Sequence, residues 1–178
     1  FLKIIKKFEL KENEKTISIE PNSESLKVNF QLVYSNSVIG TQSNQVNFAD
    51  ADLENIYTSR TFCLFEDIEQ IKKIGLAKGG SLENAVVVKD SKILNTEGLR
   101  NSKEFVNHKI LDLAGDFLLS GYRIIGSVKC NQGGHSLSNS FLRAIFEDQS
   151  NFTIIEKQES SSIKNYFKTT TNKLAVNA

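Results

Sequence analysis

The segment F-V-N-H-K-I-L-D-L-A-G-D, residues 105–116, places one histidine and two carboxylates in helical register. Side chains four positions apart lie one turn above the other on a single helix face. His108 and Asp112 therefore point the same way, and Asp116 continues the stripe with a modest angular drift. An imidazole and a carboxylate so stacked suit a divalent metal, most simply zinc, but a mutually satisfied structural pair has the same spacing. Two ligands also underfill zinc, whose catalytic sites use three protein ligands and keep a position for water. Asp116 reads either as the carboxylate that fixes a histidine's tautomer or as a solvated charge. Lys109 reads either as a phosphate contact or as an ordinary exposed helix lysine. The one other histidine, His135, follows Gly133-Gly134 at the start of a helix. There it is open to substrate as a general acid or base, or it is simply a surface or capping residue.

Other motifs are weaker. Lys78-Gly79-Gly80-Ser81 lacks both the P-loop and the dinucleotide-binding spacing and reads as a turn. Cys63 and Cys130 have no neighbouring base in sequence and no metal-type spacing, so they read as small hydrophobes.

The elements that must position these groups follow from periodicity. Residues 2–10, 16–20, 26–34 and 45–48 show alternating or β-rich apolar content, with Pro21 as a breaker. The first three predict strands in meander order with one buried face. Asp50 or Asp52 is placed to cap a short helix through Tyr57, and residues 58–62 lead into a second helix. That helix repeats Phe65, Ile68, Ile71 and Ile74 and stops at Gly75. The apolar run at 85–88 and the return at 93–94 complete a βαβ-like unit. Asn101 or Ser102 caps the histidine-bearing helix, which docks through Phe105, Val106, Ile110, Leu113, Ala114, Phe117 and Leu118 and ends at Gly121. A strand at 123–129, a loop at 131–134, a helix from His135 or Ser136 with Leu137, Phe141, Leu142, Ile145 and Phe146 inward, and a strand at 152–156 follow. Residues 160–162 and 169–171 read as loop in a loosely held tail. The expected class is α+β.

The chain has 178 residues, enough for one domain with a real core or for a domain plus an inserted subdomain. Its 22 basic and 21 acidic residues nearly cancel, which gives no broad electrostatic claim on nucleic acid. No apolar run is long enough to span a bilayer, and no signal-peptide pattern is present. Two cysteines fit a reducing, cytoplasmic setting, although their number alone leaves a disulfide open. Methionine is absent and the chain opens on Phe1 within a strand, so a piece of a longer protein is expected.

Several segments, in order, resemble one enzyme family. They are S-R-T-F (59–62), D-I-E (67–69), G-L-A-K-G-G-S (75–81) and A-V-V-V (85–88). I-L-N-T-E-G-L-R (93–100), the helix at 105–116, G-Y-R-I-I-G (121–126) and G-H-S-L-S-N (134–139) complete the series. Together they are similar to the second half of the zinc-dependent UDP-3-O-acyl-N-acetylglucosamine deacetylases of lipid A biosynthesis, the LpxC family. The likeness is dense from about 58 to 146 and looser elsewhere. It implies a two-layer α+β domain of the ribosomal S5 domain 2-like kind, its mixed or antiparallel sheet packed against helices, with the insert at about 62–94. Residues 1–178 would then be the second domain, lacking its N-terminal partner.

By that resemblance His108 and Asp112 are zinc ligands, and His135 assists departure of the amine with Asp116 supporting it. Thr61 stabilises the oxyanion, Phe62 lines the sugar site and Lys109 lies near the diphosphate. Phe65, Ile68, Gly80, Ser81 and Val87 line an acyl passage. The family's first domain supplies a Glu-His pair, general base and third ligand, and no such dipeptide occurs in this chain. The fragment alone is therefore expected to be inactive. The alternative is a non-catalytic lipid- or partner-binding α+β module.

Overall fold

Strand-forming alternation in the first third of the chain and two long amphipathic helices in its second half produce a mixed sheet with helices packed on it. The computed structural model describes residues 1–50, 52–75 and 77–156. In chain order the elements are β1 (Leu2–Ile4), β2 (Phe8–Glu12), β3 (Lys15–Glu20), β4 (Leu26–Val33), β5 (Thr41–Asn47), α1 (Glu54–Tyr57) and β6 (Thr61–Leu64). After a 3-10 turn at Phe65–Asp67 come α2 (Ile68–Lys73), β7 (Ala85–Lys89), β8 (Lys92–Ile93), α3 (Glu104–Leu118), β9 (Ile124–Asn131), α4 (His135–Glu147) and β10 (Phe152–Ile154). The loops expected at 160–162 and 169–171 lie outside the described residues.

The class is α+β, but the strand order differs from a meander. β9 is the central strand: it pairs antiparallel with β3 and parallel with both β1 and β4. β2 and β3 form a hairpin, β4 and β5 form another, and β10 adds antiparallel to β1. A strand more than ninety positions downstream thus separates β3 from β4, which adjacent-strand reasoning does not anticipate. The expected strand at 2–10 is also interrupted, because Ile5–Lys7 leaves the ladder and β2 turns to pair with β3.

The expected buried face exists. Val28, Phe30 and Leu32 of β4 are buried while Asn29, Gln31 and Val33 face outward. Ile17 and Ile19 of β3 and Val128 and Cys130 of β9 join them beneath α3 and α4. Helix α3 contributes Phe105, Val106, Ile110, Leu113 and Phe117, all essentially excluded from solvent. At about 1.5–3 kcal/mol for each fully buried apolar side chain, this docking far exceeds any intrinsic helix preference. Leu118 and Phe146 depart from the expected apolar faces: Leu118 is 60% exposed, and Phe146 packs its edge on Phe152 at the rim.

Helix ends also differ from the sequence reading. α3 has Lys103 at its N-cap with no side-chain cap, while Asn101 Oδ1 accepts from the Lys103 amide at 3.0 Å. Its last turn tightens, with Ser120 and Gly121 amides bonding Phe117 and Leu118 carbonyls, so the helix proper stops before Gly121. Asp52, of the two proposed, accepts from the Glu54 amide at α1. Residues 58–62 lead into the second helix as expected, and 61–64 do so as β6, which pairs parallel with β7. The β6–α2–β7 unit with β8 as its antiparallel return is the expected βαβ-like unit, and Gly75 closes α2 at φ +79°.

Candidate active site

His108 sits on α3 with Phe105 a turn before it and Asp112 a turn after. Its Nδ1 lies 3.2 Å from the Ser59 carbonyl oxygen, which can only accept, so Nδ1 carries the hydrogen. Nε2 lies 3.3 Å from Asp112 Oδ1, and in the neutral ring with Nδ1–H it is the nitrogen that a metal would use. Two donors bound to a tetrahedral zinc at about 2.0–2.1 Å are about 3.3–3.4 Å apart, so this pair fits two corners of such a site. The carbonyl on Nδ1 is also the kind of partner that orients a ligating imidazole. Among the described residues no group of three or more His, Cys, Asp or Glu side chains could hold a metal. Lys109 Nζ donates to the other Asp112 oxygen at 3.0 Å.

His135 is the first residue of α4, and its Nδ1 lies 2.9 and 3.0 Å from the two Asp116 oxygens. Asp116 is largely enclosed while His135 is 70% exposed, so the ring is tethered by one nitrogen and offers the other to solvent. The loop that delivers it is shaped at Gly133. A side chain there would overlap Cys130 Sγ and touch the Phe30 ring. Burial pushes the Cys130 thiol up to about 11, against the opposing pull of the Gly133 amide and Lys109, so this sulfur is packing rather than nucleophile.

Thr61 and Phe62 open β6 next to Ser59. The Phe62 ring meets Phe105 edge-on at 5.0 Å and His108 at 6.5 Å. It also joins Thr61 in lining a cavity of about 730 Å³ in the β6–α2–β7 unit. Every residue expected along the acyl passage, Phe65, Ile68, Gly80, Ser81 and Val87, lines that cavity. A smaller cavity of about 290 Å³ holds none of the expected residues, and its Asn44, Asn101 and Asn107 amides bond one another or their neighbours.

Sequence reasoning overlooked the framework beneath. Arg60 is buried between the Ser59 carbonyl and Thr61, and Glu104, fully buried at the start of α3, accepts from its backbone N–H and Nε at 3.0 and 2.8 Å. Arg60 Nη2 also donates to the Gly98 carbonyl, and Nη1 meets Glu97. Burial alone would raise the Glu104 carboxyl; hydrogen bonds from Arg60 and from the Arg60 and Arg100 amides outweigh it and hold the group below its ordinary value. Asn95, also buried, donates to the Leu82 and Ala85 carbonyls and accepts from the Val87 amide, tying the cavity's walls together. Cys63 and Lys72 also line that cavity. Arg60, Asn95 and Glu97 lay inside quoted motifs, but partners up to 44 positions apart leave no local signal.

Known proteins bear directly on this arrangement. The family profile described as "LpxC: UDP-3-O-acyl N-acetylglycosamine deacetylase" matches residues 1–147. The UDP-3-O-acyl-N-acetylglucosamine deacetylase of Psychrobacter sp. is 37% identical over 166 residues, covering 92% of this chain and 56% of that protein. The enzyme of the same name from Campylobacter fetus is 38% identical over 164 residues, with 92% and 55% covered. That from Campylobacter hominis is 40% identical over 157 residues, with 88% and 53% covered. The chain spans about half the length of the curated relatives it matches. With the match running through both histidine-bearing helices, the chain belongs to the LpxC deacetylase family.

Proposed function

We propose that this chain is the second, metal-binding and proton-donating half of a zinc-dependent deacetylase acting on UDP-3-O-acyl-N-acetylglucosamine in lipid A biosynthesis. The observation that carries the reading is the 3.3 Å approach of His108 Nε2 to Asp112 Oδ1 with Nδ1 already occupied. His108 and Asp112 would hold zinc, which when bound lowers the pKa of a water and polarises the acetamide carbonyl. Thr61 would donate its hydroxyl to the developing oxyanion. His135, protonated, would deliver a proton from Nε2 to the departing nitrogen, with Asp116 holding Nδ1–H and balancing the charge. Lys109 would serve the diphosphate and Phe62 the sugar, while Phe65, Ile68, Gly80, Ser81 and Val87 enclose the acyl chain.

The general base and third ligand belong, in this reading, to a Glu-His pair on the other half of the protein, and the isolated chain is inactive. The setting is cytoplasmic, in keeping with two free cysteines; among the described residues no helix is long and apolar enough to cross a membrane. The central antiparallel and parallel pairings of β9, covered by α3 and α4, support the ribosomal S5 domain 2-like assignment.

The test is acetate release by the full-length protein, before and after zinc chelation. Zinc-dependent release with none from residues 1–178 alone is expected, and metal-independent turnover would refute the reading. The apolar cavity favours one second reading, lipid binding without chemistry. A full-length protein that binds acyl chains yet releases no acetate would select it.

A further inference from the structure

Every described residue from 72 to 84 is exposed. The stretch carries Lys72, Lys73 and Lys78, with no acidic residue between Glu69 and Glu83. Beside these cations stand large apolar side chains in water: Ile74 is 71% exposed, Leu82 46% and Phe65 43%. Single exposed apolar residues are ordinary. Here, however, Phe65, Lys72 and Leu82 line the same cavity, and Lys73, Ile74 and Lys78 lie on the same exposed stretch of chain. Lys89 adds a further positive charge over the Phe65 ring, its Nζ 4.5 Å from the centroid.

We propose that this rim docks on an anionic lipid bilayer, its lysines at the headgroups and Ile74 and Leu82 in the acyl boundary. The proposal rests on reading the cavity as the acyl passage. Mixed basic and apolar surface is what binds the interface of an anionic membrane without crossing it. An acidic protein would meet the lysines but leave the apolar rim and the open cavity unanswered, whereas an amphiphile surface satisfies both. Glu66, Asp67, Glu69 and Glu83 flank the rim and limit the attraction, so contact is reversible and salt-sensitive. The functional gain is a path for the substrate's acyl chain from bilayer to cavity without full exposure to water.

Cosedimentation of the full-length protein with phosphatidylcholine vesicles, with and without phosphatidylglycerol, tests this. Binding that requires phosphatidylglycerol and weakens with salt is expected. Each lysine near an anionic surface changes affinity about fivefold, so K73E/K78E should lower binding about 25-fold or more. Ile74→Ser should weaken binding without changing its salt dependence. K73E/K78E should still deacetylate a short-acyl substrate in solution at the parent rate. No vesicle binding, equal binding to neutral vesicles, or unchanged binding by K73E/K78E would overturn the docking surface while leaving the deacetylase reading intact. Vesicle binding as expected in a protein that releases acetate from no substrate would support the surface and overturn the deacetylase reading instead.

Discussion

One carboxylate oxygen of Glu104 accepts from both the backbone amide and the Nε of Arg60, joining the residue before Thr61 to the first turn of α3. This clamp fixes the Ser59–Thr61 segment against the helix that carries His108. It thereby sets the Ser59 carbonyl that orients His108 Nδ1. Breaking a buried pair by removing one partner costs about 3–5 kcal/mol, because the survivor keeps its desolvation penalty. Arg60→Ala or Glu104→Ala should lose stability of that order in urea titrations, and Arg60→Lys should restore only part of it. A loss under about 1 kcal/mol would contradict the clamp.

The same pair predicts a pH dependence. Glu104 has a folded-state pKa below its unfolded value, so its contribution is complete above the ordinary glutamate range. It is lost as pH falls through the lowered folded value. Urea midpoints of the wild type should drop across that acidic range, and those of Glu104→Gln should drop less. Parallel profiles would show that other carboxylates govern acid sensitivity.

The two histidines should separate experimentally in the full-length protein. His135→Ala should cut turnover by about 10²–10⁴-fold, the scale of general acid catalysis, while zinc content stays near that of the parent. His108→Ala should instead lose the metal, measured by elemental analysis after dialysis. Zinc lost from the first variant or retained stoichiometrically in the second would exchange or void the roles.

Asn95 invites a third substitution. Asn95→Ala leaves the Val87 amide and the Leu82 and Ala85 carbonyls short of a partner, at about 1–3 kcal/mol for each one kept from water. Hydrogen exchange at Val87 should accelerate, and KM should rise for long-acyl substrates far more than for short ones. An equal rise for both would place the damage outside the cavity.

At Gly133 the steric argument gives a rescue test. Gly133→Ala forces a methyl into Cys130 Sγ, an overpacking that costs about 1–3 kcal/mol and displaces the loop bearing His135. Adding Cys130→Ala removes the obstructing sulfur and should recover much of the lost stability and turnover. No recovery would mean that the Phe30 ring or the backbone sets the limit instead.

The sequence was most legible where chemistry repeats locally. The spacing of His108, Asp112 and Asp116 on one helix, the alternation in β4 and the apolar repeats of the β6–α2–β7 unit all follow from periods of 3.6 or 2. The central position of β9 did not, because parallel pairing to β4 joins segments about a hundred residues apart. Arg60–Glu104 escaped notice for the same reason. The Asp116–His135 contact came from family resemblance, since nothing in its spacing of 19 positions announces it.

Phe62 packs near-perpendicular to the rings of Phe105 and His108 and also lines the cavity. A single ring is therefore shared by the apolar cavity and the surroundings of His108. An occupant of the cavity that displaced this ring would be felt at His108, so a long and a short guest are expected to leave different signatures on that imidazole.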